Sequence, residues 1–170
     1  FFAVVDPIGT VPVFIAVTSQ CDNDAKRRIA LLATLAAGAV LLFFVVAGEI
    51  ILIAMSIPLP AFQIAGGIIL FLFSLTMIFG ESKPDEETKL ARSHNETAVF
   101  PLAVPSIASP GAILAAVLLT ENNRFSIWEQ VQTVSMMLAV LFFTYLLMLA
   151  AGQVNRLIGS SGASVASRVM

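Results

Sequence analysis

Binding and catalysis need polar or ionisable groups held where water does not compete for them. This chain has few, and they are oddly placed. Asp6 lies in a stretch, Phe1 to Gln20, that carries no other charge, and it is followed by Pro7-Ile8-Gly9-Thr10. A related pattern, Ser109-Pro110-Gly111-Ala112, falls inside the uncharged run from Ala98 to Thr120. Each reads as an N-cap residue followed by proline at the first helical position. Each therefore starts a helix in the middle of a hydrophobic segment. Upstream of the second, Pro101 and Pro105 push Phe100 and Val104 away from helical geometry. The first cap is a carboxylate and the second a neutral hydroxyl. The N–H groups of Gly111, Ala112 and Ile113 are then expected to form an uncompensated positive helix end, suited to a carboxylate. Asp6, with unwound carbonyls around Val4 and Val5, is suited to an ammonium. Together they describe a site for a zwitterion. Thr10 and Ser106 flank the breaks, so the candidate binding residues are Asp6, Pro7, Gly9, Thr10, Ser106, Ser109, Pro110, Gly111 and Ala112. The plainer alternative is that Asp6 only caps its helix. The two roles are compatible, and a coupling proton is a third use for the same carboxylate.

Catalytic chemistry is poorly supplied. An aspartyl protease needs two facing carboxylates, and only Asp6 lies near the middle of a hydrophobic segment. A serine hydrolase needs a base near Ser106 or Ser109, and the single histidine, His94, sits in a polar stretch. One cysteine, Cys21, excludes an internal disulfide and a thiolate metal cluster. A net charge of −2 without a basic patch argues against nucleic acid. The expectation is a protein that is not an enzyme and uses no cofactor and no metal.

The elements that must position these residues follow from composition. The chain has 170 residues, 58% hydrophobic and 12% charged, with a mean hydropathy of +0.95. Soluble domains carry about 25% charged residues, so a membrane protein is indicated. A bilayer-crossing helix takes about 20 apolar residues. Five segments qualify: Phe1–Gln20, Ile29–Gly48, Ala61–Gly80, Ala98–Thr120 and Val131–Gly152. If all five cross, loops 21–28, 81–97 and 153–164, with the residues beyond them, hold eight of the nine basic residues, and only Arg124 lies on the other side. That bias marks those loops as cytoplasmic, and it places Trp128 in the opposite interfacial belt. The stretch 81–97 reads as a solvated connector, in which His94 and the sequon Asn95-Glu96-Thr97 carry no role.

Five of the eight prolines, Pro7, Pro12, Pro101, Pro105 and Pro110, fall in the first and fourth segments. An interior proline costs a helix about 3 kcal/mol, and freed backbone groups are tolerated in a bilayer only in protein or beside a wet cavity. Each broken segment is followed by a polar turn and an unbroken one. Residues 1–80 thus form one three-helix unit, 81–97 the connector, and 98–170 a second unit cut short before its third span. Three crossings per unit make the second copy inverted, which is the arrangement of many secondary transporters. Small residues recur on these segments (Ala30, Thr34 and Gly38; Gly66 and Gly67; Gly111 and Ala115) and read as close-packing faces. Glu49 is placed at the outer interface, because it lies about 30 Å along a helix from Ile29.

Three motifs carry a resemblance. Asp6-Pro7-Ile8-Gly9-Thr10-Val11-Pro12-Val13-Phe14, the run Phe62 to Ile68, and the run Pro101 to Ile113 resemble the MarC family of bacterial inner-membrane proteins. That family includes the SnatA-type small neutral amino-acid transporters. The resemblance covers nearly the whole chain. It implies an all-α polytopic membrane protein of six spans in two inverted three-helix repeats with discontinuous first and fourth spans. This chain would then lack the start of the first span and the whole sixth span. It further implies a bacterial inner-membrane location and a small zwitterionic solute, such as glycine or alanine, with a proton or sodium ion as coupling partner. The alternatives are an ion or small-solute channel and a membrane protein without transport activity.

Overall fold

The computed structural model describes residues 1–19, 21–79, 98–122 and 124–169, and their secondary structure is helical throughout. In chain order the elements are α1 (Phe2–Val5), α2 (Pro7–Val17), α3 (Asn23–Ala54), α4 (Leu59–Phe79), α5 (Ala98–Ile107), α6 (Pro110–Leu118) and α7 (Ile127–Val169).

Local sequence explains most boundaries. Asp22 caps α3, its Oδ1 accepting the Ala25 N–H at 2.9 Å, with Asp24 favourably placed in the first turn. α7 opens with a capping box: Glu129 Oε2 accepts both the backbone N–H and the hydroxyl of Ser126 at 2.8 Å. α3 stops at Met55, where Ser56 turns with a positive φ of 54° before Pro58 begins the approach to α4.

Two described helices, Asn23–Ala54 and Ile127–Ala151, are long and apolar enough to cross a membrane. The pair Phe100–Ile107 and Pro110–Leu118, bent by 51°, makes a third if counted as one broken span. The remaining candidates, Phe2–Val17 and Leu59–Leu72, are apolar but shorter as described. α3 has 32 residues, about 48 Å at 1.5 Å per residue, against a hydrocarbon thickness of about 30 Å. Its first turns, with Lys26, Arg27 and Arg28, therefore project beyond the apolar part. Two expected loops are corrected. Residues 23–28 are the start of α3, because Asp22 caps the helix there, and residues 153–164 continue α7 to Val169. The connector 81–97, with His94 and the sequon, lies outside the described residues.

The two long helices pack against each other, and each also holds a short helix from the opposite end of the chain: α7 lies along α2, and α3 lies along α5 and α6. α1 meets α6, and α2 meets α5. The buried seam of α3 runs through Ala30, Ala33, Ala37 and Leu41, all fully buried, so the helices approach with almost no side chain between them. Thr34, expected on that seam, is only partly buried and bonds the Ala30 carbonyl at 2.9 Å. Large apolar residues face outward instead, among them Val46, Ile53, Ile64, Phe71 and Phe142. Such a surface suits lipid and not water.

Candidate functional site

The first break is a single residue. Asp6 adopts a left-handed conformation (φ 48°, ψ 68°), closing α1 and capping α2 at once. Its Oδ1 accepts the Gly9 N–H at 2.9 Å. Its carbonyl accepts both the Thr10 N–H at 3.1 Å and the Thr10 hydroxyl at 3.0 Å. Gly9 is required here: a Cβ at that position would run into the Asp6 carboxylate. The break frees carbonyls of α1. Pro7 has no N–H to offer Ala3, and the Gly9 N–H is diverted from Val5 to the cap. Among the described residues neither of these carbonyls has a partner, and neither does Asp6 Oδ2. Pro12, by contrast, sits inside α2 without ending it; the cost falls on the Ile8 carbonyl, which loses its donor.

The second break is longer. Phe100 (φ −135°, ψ 122°) and Val104 (φ −134°, ψ 123°) are extended, as their following prolines require, and α5 is irregular around them. α5 closes with a wide turn in which the Ala108 N–H donates to the Ala103 carbonyl at 2.8 Å. Ser109 then caps α6, its Oγ accepting the Ala112 N–H at 3.1 Å. Thr10, Ser106 and Ser109 are all buried, with Pro7, Gly111 and Ala112, while Asp6 and Gly9 are partly exposed and Pro110 is exposed. The Ser106 hydroxyl is fully buried with no hydrogen-bond partner among the described residues, a state that ordinarily costs about 1–3 kcal/mol.

The breaks touch. The Ser109 hydroxyl donates to the Val4 carbonyl at 2.6 Å, across 105 positions of sequence. Gly111 is part of the same contact, since a Cβ there would meet Val4 and come within 2.7 Å of Leu70 Cδ2. This contact corrects two expectations. Val4 does not present an open carbonyl, because Ser109 occupies it. The α6 start is not wholly uncompensated either: Ala112 N–H binds the Ser109 side chain and Ile113 N–H binds the Ser109 carbonyl at 3.0 Å. Of the three expected donors only the Gly111 N–H lacks a partner among the described residues.

Further along α6, Gly48 of α3 and Gly66 of α4 let that helix in. A Cβ on Gly48 would come within 2.5 Å of Val117 Cγ2, and one on Gly66 would strike Leu114. Gly67 faces open space. Sequence reasoning missed the partner of Ser109 and the part played by Gly48. Both are contacts between distant segments, and nothing local announces them. Glu49 lies beside the α6–α7 turn, where its Oε2 accepts two hydrogen bonds from Asn122.

Long apolar helices, lipid-facing hydrophobic surfaces and two interrupted helices meeting inside define a helical integral membrane protein. Residues 1–170 match the family described as MarC family integral membrane protein, and the chain belongs to that family. It is 36% identical to a UPF0056 membrane protein of Methanocaldococcus jannaschii over 99% of this chain and 83% of that one. It is 31% identical to a UPF0056 membrane protein of Buchnera aphidicola subsp. Schizaphis graminum (99% and 79% covered) and 31% identical to one of Archaeoglobus fulgidus (99% and 80% covered). No solved structure matches the chain.

Proposed function

We propose that the protein is a secondary transporter of small zwitterionic solutes, of the size of glycine or alanine, working in the cell membrane. The observation that carries this reading is the Ser109–Val4 hydrogen bond, which joins the neutral-capped break to the carboxylate-capped one. A solute ammonium has Asp6 Oδ2 and the carbonyls of Ala3 and Val5 to bind. A solute carboxylate has the Gly111 N–H, and the Ser109 hydroxyl once it turns away from Val4. The Ser106 hydroxyl, without a partner among the described residues, is a further donor close in sequence. Ser109, Gly111 and Ala112 are small and buried, so a site opened among them would favour small solutes. The crosswise packing of short and long helices supports two inverted repeats, and the bias of basic residues supports a cytoplasmic location for the α2–α3 turn. Asp6 also suits a coupling proton or sodium ion.

The test is radiolabelled glycine and alanine uptake into proteoliposomes, with and without imposed proton and sodium gradients, by the full-length protein and by Asp6→Asn. Asparagine caps a helix as well as aspartate does and tolerates left-handed geometry, so this change removes the charge and spares the fold. Saturable uptake by the parent and none by Asp6→Asn is expected. Undiminished uptake by a folded Asp6→Asn protein refutes the role of Asp6, and single-channel currents in place of saturable uptake refute the carrier reading.

A further inference from the structure

α6 is pinned at both ends. Its first residue follows the Ser109 cap, tied to Val4. Just past its last, Asn122 is tied to α3: the backbone N–H and the Nδ2 of Asn122 donate to Glu49 Oε2 at 3.0 and 2.6 Å. Asn122 in turn accepts at Oδ1 from Gln130 Nε2 at 3.0 Å, and the same Nε2 donates to the Phe125 carbonyl at 3.1 Å. One carboxylate therefore fastens α3 to the α6–α7 turn and, through it, to the first turns of α7. The neighbouring residue, Gly48, packs against Val117 of α6.

The two pins differ in kind. Ser109 is buried, and its bond to the partly buried Val4 is less open to water. Glu49 is half-buried and Asn122 is exposed, so water can replace each of the Glu49 bonds as it breaks. The charged acceptor strengthens the closed state, while exposure keeps it reversible. The nine-residue α6 is thus held by a part-buried bond at one end and by exposed ones at the other. Val117 of α6 is buried against Gly48.

We propose that the Glu49–Asn122 contact is a latch on this end of the molecule. Closed, it holds α6 against α3. Opened, it lets the half-helix tilt and admits water toward the breaks. The latch rests on the transport reading for its purpose and not for its existence, so the experiment separates them.

In a Cys21→Ser background, Val117→Cys reports opening through its rate of labelling by a small water-soluble maleimide, with and without Glu49→Gln. Glutamine keeps the size and one acceptor but loses the charge. We expect labelling to rise at least about fivefold with Glu49→Gln, and an unchanged rate overturns the latch. A second pair, Glu49→Cys with Asn122→Cys, is cross-linked by oxidation and released by reductant. Uptake of glycine or alanine is expected to fall below about a tenth when cross-linked and to return on reduction. Equal uptake in both states overturns a latch that must open in each cycle. If the Cys21→Ser parent takes up neither solute, the transport reading fails, and the labelling result still decides the latch.

Discussion

The carboxylate of Asp6 uses one oxygen to hold the first turn of its own helix and leaves the other without a partner among the described residues. That division makes the side chain separable by mutation. Asp6→Ala removes cap and charge and should lower stability by about 1 kcal/mol, visible as an earlier thermal transition in detergent; Asp6→Asn should leave the transition in place. Gly9→Ala puts a methyl where the carboxylate lies. It is expected to displace the cap and reproduce the stability loss of Asp6→Ala while keeping the charge. Ser109 is both donor and acceptor, with Val4 and Ala112 as its partners. Ser109→Ala strands the partly buried Val4 carbonyl and the buried Ala112 N–H, and a loss of about 1–3 kcal/mol is expected, largely restored by Ser109→Thr. A Ser109→Ala protein with unaltered stability would mean the two breaks are not joined through this hydroxyl.

α6 is short, and Gly48 of α3 and Gly66 of α4 let its Val117 and Leu114 pack close. Gly48→Val should overpack the contact with Val117 and cost about 1–3 kcal/mol. Gly66→Val should do the same against Leu114. Gly67→Ala, whose Cβ meets nothing within 4 Å, should be neutral or slightly stabilising, since alanine is the better helix former by up to about 1 kcal/mol. Unfolding of the three variants side by side checks this ordering. The breaks themselves were legible from sequence because their causes are local: proline at the first helical position after Asp6 and Ser109, and proline after Phe100 and Val104. Pro12 shows the limit of that logic, since α2 runs through it. Whether a proline ends a helix depends on what packs around it, and α2 is held along α7.

Taken whole, the chain reads plainly as a membrane protein, because hydrophobicity and charge are summed quantities that survive ignorance of the fold. What stayed illegible were the pairings: Ser109 with Val4, Glu49 with Asn122, Gly48 with Val117. Each joins segments far apart in sequence, and each is set by how the helices pack. Orientation in the membrane is a property of the whole chain as well. With Cys21→Ser, a cysteine at Lys26 should be blocked only by reagents that cross the membrane, and one at Arg124 by impermeant reagents added outside. The reverse pattern would invert the sidedness. The two-ended site requires a solute held by both of its charges, one at each break. Competition against labelled alanine uptake tests this directly, using unlabelled alanine, propionate and ethylamine in proteoliposomes. Alanine is expected to compete at least about tenfold better than either compound bearing a single charge. Competition by propionate or ethylamine as strong as that by alanine would contradict the two-ended site.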